Sequence, residues 1–154
     1  MGAVFRLLSH HGNSVNLMKD FNSLSGPWIG WSIQDGLRIT ESIRLTIQKG
    51  IISGSGTDKD GEFELQGAYI ERGQKVLMTR TYTRTTEPSQ EGVGIPYEYV
   101  GSWDGSFVSG RWHPRWNQYY GGPFEMWPAD ATEELRIELQ IEVEEEAPLV
   151  GAPR

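Results

Sequence analysis

Cysteine is absent from the chain. A disulfide framework, a thiolate metal site, an iron–sulfur cluster and a cysteine nucleophile are therefore excluded. Long apolar runs are missing too, with nothing that approaches the roughly 18 consecutive apolar residues of a membrane-spanning helix. Positive charge is scarce: 14 Lys and Arg stand against 21 Asp and Glu, a net charge of −7. That balance argues against a nucleic-acid partner, which is bound through clustered cations that displace counterions. No Gly-x-Ser-x-Gly elbow, phosphate loop or His-Glu-x-x-His motif occurs, so an enzyme is the least expected class. The start, Met1-Gly2-Ala3-Val4-Phe5-Arg6, has neither the basic and apolar regions of a secretory leader nor the Ser or Thr of a myristoylation signal. The expected location is the cytoplasm, with no membrane partner.

What the chain does have is glycine and aromatic residues. Its 154 residues include 19 Gly and 8 Pro alongside 6 Trp, 6 Tyr and 5 Phe. Disordered chains are poor in aromatics, and glycine interleaved with aromatics instead suggests short strands joined by tight turns. Residues 1–25 read as an N-terminal segment. Within it Val15, Leu17, Met18, Phe21 and Leu24 recur at helical steps after Ser14, predicting a short helix over 14–24. From Trp28 the period changes to two. Strands are predicted over 28–35, 41–48, 51–58, 62–71, 75–84, 97–103, 106–113 and 122–127. Turns stand between them at Asp35-Gly36, Lys49-Gly50, Lys59-Asp60-Gly61, Arg72-Gly73-Gln74 and Asp104-Gly105. A last strand is predicted over 135–143, because Leu135, Ile137, Leu139, Ile141 and Val143 alternate and as a helix would point all round the axis.

Short connections make consecutive strands antiparallel neighbours, and a long twisted meander closes because closure removes its unpaired edges. The expected fold is all-β: an eight- to nine-stranded antiparallel up-and-down β-barrel over residues 26–146, with a short N-terminal helix before it and a flexible tail at 147–154. A β-sandwich is the alternative, though it usually needs longer crossovers. Asp60-Gly61-Glu62-Phe63 with Gly67 echoes Asp104-Gly105-Ser106-Phe107 with Gly110. We read the echo as repeated barrel geometry, with glycine at a tightly coiled position in each strand.

The run Gly26-Pro27-Trp28-Ile29-Gly30 resembles the Gly-x-Trp opening of the calycins: lipocalins, fatty-acid-binding proteins and avidins. Its Gly-x-Trp-x-Gly form is also similar to the opening of nitrobindin-type haem barrels. The segments 54–58 and 101–105 resemble a bacterial branch of calycin-like barrels. The resemblance covers roughly residues 26–143. It implies a closed barrel with a structural Trp28 packed across its base. The biotin-contacting pattern of avidins and a late-strand haem histidine do not accompany it, and no cofactor is expected.

Parity assigns the lumen. Val76 and Met78 share a face with Arg80, Tyr82 and Arg84, and the inward candidates on other strands are Phe63, Leu65, Tyr69, Tyr97, Tyr99 and Trp103. Arg80, Tyr82, Tyr69, Tyr97, Tyr99 and Trp103 form the candidate ligand site: a guanidinium fork and phenol rings suited to a small amphipathic or anionic molecule. The bland reading is a lumen filled by side chains, with Arg80 at the mouth or paired with a Glu. Trp112, Arg115, Trp116 and Tyr119 lie in an aromatic stretch over 112–120. This is either a packed lid or an exposed loop for a protein partner, since Trp, Tyr and Arg dominate interface hot spots. Self-association into a homo-oligomer stays open. The adjacent His10 and His11 point in different directions on any regular element and His113 lies at the end of a strand, so they lack the convergence of a metal site; Asp58 and Asp60 read as turn formers.

Overall fold

The computed structural model describes residues 5–9 and 15–146. Among these, β1 (Phe5–Ser9) and β2 (Val15–Lys19) form an antiparallel hairpin, followed by a 3₁₀ turn at Phe21–Ser23. Eight strands then run in order: β3 (Gly26–Gln34), β4 (Leu37–Gln48), β5 (Ile51–Asp58), β6 (Gly61–Ile70), β7 (Lys75–Thr85), β8 (Pro96–Trp103), β9 (Val108–Pro114) and β10 (Gly122–Pro128). Each pairs antiparallel with its sequence neighbour, and β10 pairs back onto β3, so the sheet closes as an up-and-down barrel. The two-residue turns Asp35-Gly36 and Lys49-Gly50 have φ of 50° and 78° each, the left-handed pair whose twist matches that of the flanking strands. The expected barrel is therefore the observed one, with eight strands.

Two elements differ from the sequence reading. The helix expected over 14–24 is replaced by β2 and the 3₁₀ turn; Ser14, its expected cap, lies outside the described residues, as does the tail at 147–154. A strand forms at 15–19 because Phe5–Ser9 supplies a full ladder of partners. Asp20 then starts the turn, its carboxylate accepting from the Asn22 N–H at 3.2 Å. At the other end, Ala131–Glu146 is a helix, α1, in place of the last strand. With β10 already paired on both sides, the closed barrel offers no edge to a ninth strand. Asp130 instead caps the helix, its Oδ1 accepting from the Glu133 N–H at 2.8 Å. Helix α1 lies on the outside of β3 and β4. The apolar alternation is split by the helix: Ile141 is buried and Ile137 half-buried, whereas Leu135, Leu139 and Val143 face outward.

The barrel is plugged at one end. Trp28 and Trp103, 5.8 Å apart between ring centroids, meet Phe21, which stacks on Tyr69 at 4.5 Å. All are buried, and both indoles are satisfied: Trp28 Nε1 donates to the Leu24 carbonyl at 2.8 Å and Trp103 Nε1 to that of Lys19 at 3.0 Å. Trp28 thus packs across the base of the barrel, against the 3₁₀ turn and not against a helix.

Candidate functional site

Strand direction places the turns 35–36 and 59–60 and the loops 86–95 and 115–121 at the opposite end. Here the side chains that point inward no longer fill the lumen. They line a cavity of about 200 Å³ whose wall includes Arg80, Glu41, Asp58, Tyr82, Tyr97 and Tyr99. The loop 86–95 is tied to the rim by Gln90, whose amide accepts from the Thr85 N–H at 3.0 Å and donates to the Thr85 carbonyl at 2.9 Å.

Arg80 is the centre of the site. Strand β7 turns it inward after Val76 and Met78, and it is 2% exposed. Such a charge is costly to bury unless it is paired. Glu41, inward on β4 beside Ile39 and Ile43, takes both guanidinium NH₂ groups, at 2.8 and 2.7 Å. Ser32 on β3 donates to the same carboxylate at 2.6 Å. The guanidinium carbon lies 3.8 Å from the Phe63 ring centroid and 4.4 Å from that of Tyr99, sandwiched by cation–π contacts. Burial works against the charge, but the Glu41 charge and hydrogen bonds, together with the Tyr99 and Tyr82 phenols, outweigh it and hold the guanidinium protonated.

Asp58 closes β5 and is 1% exposed. Its Oδ1 accepts from the Asp60 N–H at 2.8 Å, the turn-forming role expected of it, while Oδ2 accepts from the Tyr82 hydroxyl at 2.5 Å. Arg80 lies 3.7 Å away. Desolvation outweighs that nearby cation and pushes the Asp58 carboxyl up to about 6. Burial, together with the Asp58 charge, raises the Tyr82 phenol well above its usual range, and burial likewise raises Tyr99.

Of the residues that parity singled out, Arg80, Tyr82, Tyr97 and Tyr99 come together in the cavity wall. Tyr69 and Trp103 point inward as expected, but they belong to the plugged base and not to the cavity. Arg84 does not share the inward face. The register shifts between Glu62 and Phe63 opposite Thr83, so the extra residue turns Arg84 outward onto Glu62, at 3.1 Å, and brings Thr85 inside. Trp112 is not part of a loop. It lies in β9, 4% exposed, in the cavity wall, with its indole N–H on the Ile33 carbonyl at 3.0 Å. Arg115 binds Glu98 on the outer surface at 2.7 Å. Trp116 and Tyr119 stand in the 115–121 loop at 74% and 86% exposure. His113 approaches the Pro114 carbonyl at 2.7 Å, and His10 and His11 lie outside the described residues.

Glu41 and Asp58 are the site residues that the sequence reading did not select. Glu41 was legible, since it shares the parity of Ile43 and Leu45. Asp58 was hidden by its position at a turn, where a carboxylate needs no further explanation. No group of three or more His, Asp or Glu residues among the described residues is placed to hold a metal ion. No helix among them is long and apolar enough to cross a membrane. Compared with family models, curated proteins and solved structures, the chain finds no match.

Proposed function

We propose that this is a calycin-like barrel that binds a small amphipathic molecule, without catalysis, in the open half of its lumen. The observation that carries the reading is the division of the lumen: packed aromatics fill one end, while the other leaves about 200 Å³ walled by rings and hydrogen-bonding groups. Pockets for drug-sized ligands run to roughly 300–1,000 Å³, so the occupant is smaller. Of the two ligand chemistries that the sequence left open, the amphipathic one fits the wall. An anion finds the Arg80 fork already held by Glu41. Native mass spectrometry of the purified protein, followed by thermal melts with candidate compounds, tests the reading. A non-covalent adduct, or a melting temperature that rises with ligand concentration, supports it. A bare mass with no stabilisation by any small molecule counts against it.

Exposure favours a second reading. Trp116 and Tyr119 project from the 115–121 loop, and such residues anchor protein interfaces. In that case the 112–120 stretch presents these side chains to a protein partner, or to a second copy in a homo-oligomer. Light scattering and a pull-down with Trp116→Ala as control distinguish it from the ligand-binding reading.

A further inference from the structure

The cavity wall is far richer in negative than in positive charge. Glu41, Asp58, Asp60, Glu87 and Glu91 line it against the single cation Arg80. Glu41 is consumed by Arg80, and Asp60 lies 2.8 Å from Lys59 at the surface. Asp58 lies deep in the wall, its oxygens on the Asp60 N–H and the Tyr82 hydroxyl and 3.7 Å from Arg80, while Glu87 and Glu91 stand at the exposed rim, paired with no such cation among the described residues. Between these carboxylates runs a chain of edge-on rings: Tyr82 to Tyr97 at 6.4 Å and Tyr97 to Trp112 at 6.0 Å. Carboxylates with aromatic faces are the surroundings that attract an organic cation and repel an anion. Geometry supports the same sign: Tyr82 and Tyr97 are only partly buried in the wall, so ring surface lies open to a bound cation beside the carboxylates.

We propose that the cavity takes a small organic amine, with the ammonium among the carboxylates and its apolar part against the rings of Tyr82 and Tyr97. This rests on the ligand-binding reading above and specifies the sign of the ligand's charge. It also gives the rim a task. Glu87 and Glu91 belong to the loop that Gln90 ties down, so their charge stays over the opening, where it draws cations in and discriminates by sign.

Three probes of nearly one shape isolate the charge: tyramine, its neutral alcohol analogue tyrosol, and the anion 4-hydroxyphenylacetate. Each is titrated by calorimetry into the full chain and into the double variant Glu87→Gln/Glu91→Gln. These substitutions change only exposed loop positions and leave the barrel core intact. The expected order is tyramine tightest, roughly tenfold ahead of tyrosol, with the anion weakest. The tyramine advantage should shrink in the variant and at high salt. Tyrosol or the anion binding as tightly as tyramine overturns the charge assignment while leaving the ligand-binding reading in place. Failure of all three to bind overturns both.

Discussion

Arg80 and Glu41 meet inside the barrel through two hydrogen bonds of 2.8 and 2.7 Å, each side chain almost wholly buried. They come from β7 and β4, 39 residues apart in sequence, so the pair ties opposite parts of the barrel wall across its lumen. A lone buried Arg is costly to retain, so its replacement by an apolar residue would be near neutral or stabilising; pairing with Glu41 reverses that sign. Arg80→Met leaves Glu41 buried with no cation and should cost roughly 3–5 kcal/mol, whereas replacing both residues by well-packed apolar side chains should recover most of the loss. Urea unfolding of the two single variants and the double variant measures the coupling. Additive losses would remove the pair from the account.

Asp58 sets a pH dependence. Its carboxyl ionises near pH 6 in the folded chain against an ordinary 3.8, so between those values the folded state holds the extra proton. Its contribution to stability therefore falls as pH rises from about 4 to about 6 and stays low above that. Arg80, Glu41, Tyr82 and Asp60 are the charged and titratable groups that face it. Asp58→Asn removes the charge and keeps an oxygen for Tyr82. It should stabilise the protein by roughly 1–3 kcal/mol at pH 7 and change little at pH 3.5. Unfolding free energies measured across that range check the sign, and an equal effect at both pH values contradicts it.

Trp28 closes the base, with no exposed surface and ring contacts to Phe21 and Trp103. Trp28→Ala should destabilise by roughly 3–5 kcal/mol, the range for truncating a large buried aromatic. A loss within about 0.5 kcal/mol, as at a surface site, contradicts the plugged base.

Gly110 shows why the glycine echo exists. A Cβ there would lie 1.9 Å from the Val100 carbonyl oxygen, and one at Gly67 would lie 1.9 Å from that of Leu77. Both glycines sit where the neighbouring strand presses against the position of a side chain. Gly→Ala in an ordinary strand is mildly favourable. Gly110→Ala should instead cost roughly 1–3 kcal/mol through overpacking, read from denaturant midpoints. A stabilised variant would contradict the close approach.

Legibility in the sequence followed the period-two signal. Strands β4, β6 and β7 alternate so regularly that their inward residues, Arg80 among them, could be placed by parity, and the short turns implied the antiparallel order. Parity failed at Arg84 because a bulge adds one residue, and nothing in the sequence around Thr83 marks a bulge. It misled at 135–143, where one spacing serves both a strand face and two sides of a helix, and only the closure of the barrel by β10 decides between them. Depth along the lumen was also invisible. Tyr69, Trp103, Tyr97 and Tyr99 all point inward, but only the register and the plug at Phe21 separate base from cavity.

Binding of a small molecule in the open half of the lumen is tested most directly by the indole N–H resonances of an isotope-labelled sample. During a tyramine titration the Trp112 indole, in the cavity wall on the Ile33 carbonyl, should shift progressively and saturate. Those of Trp28 and Trp103, held on Leu24 and Lys19 in the plugged base, should stay fixed. Shifts confined to the exposed Trp116, or a Trp112 signal unmoved at millimolar probe, would contradict it.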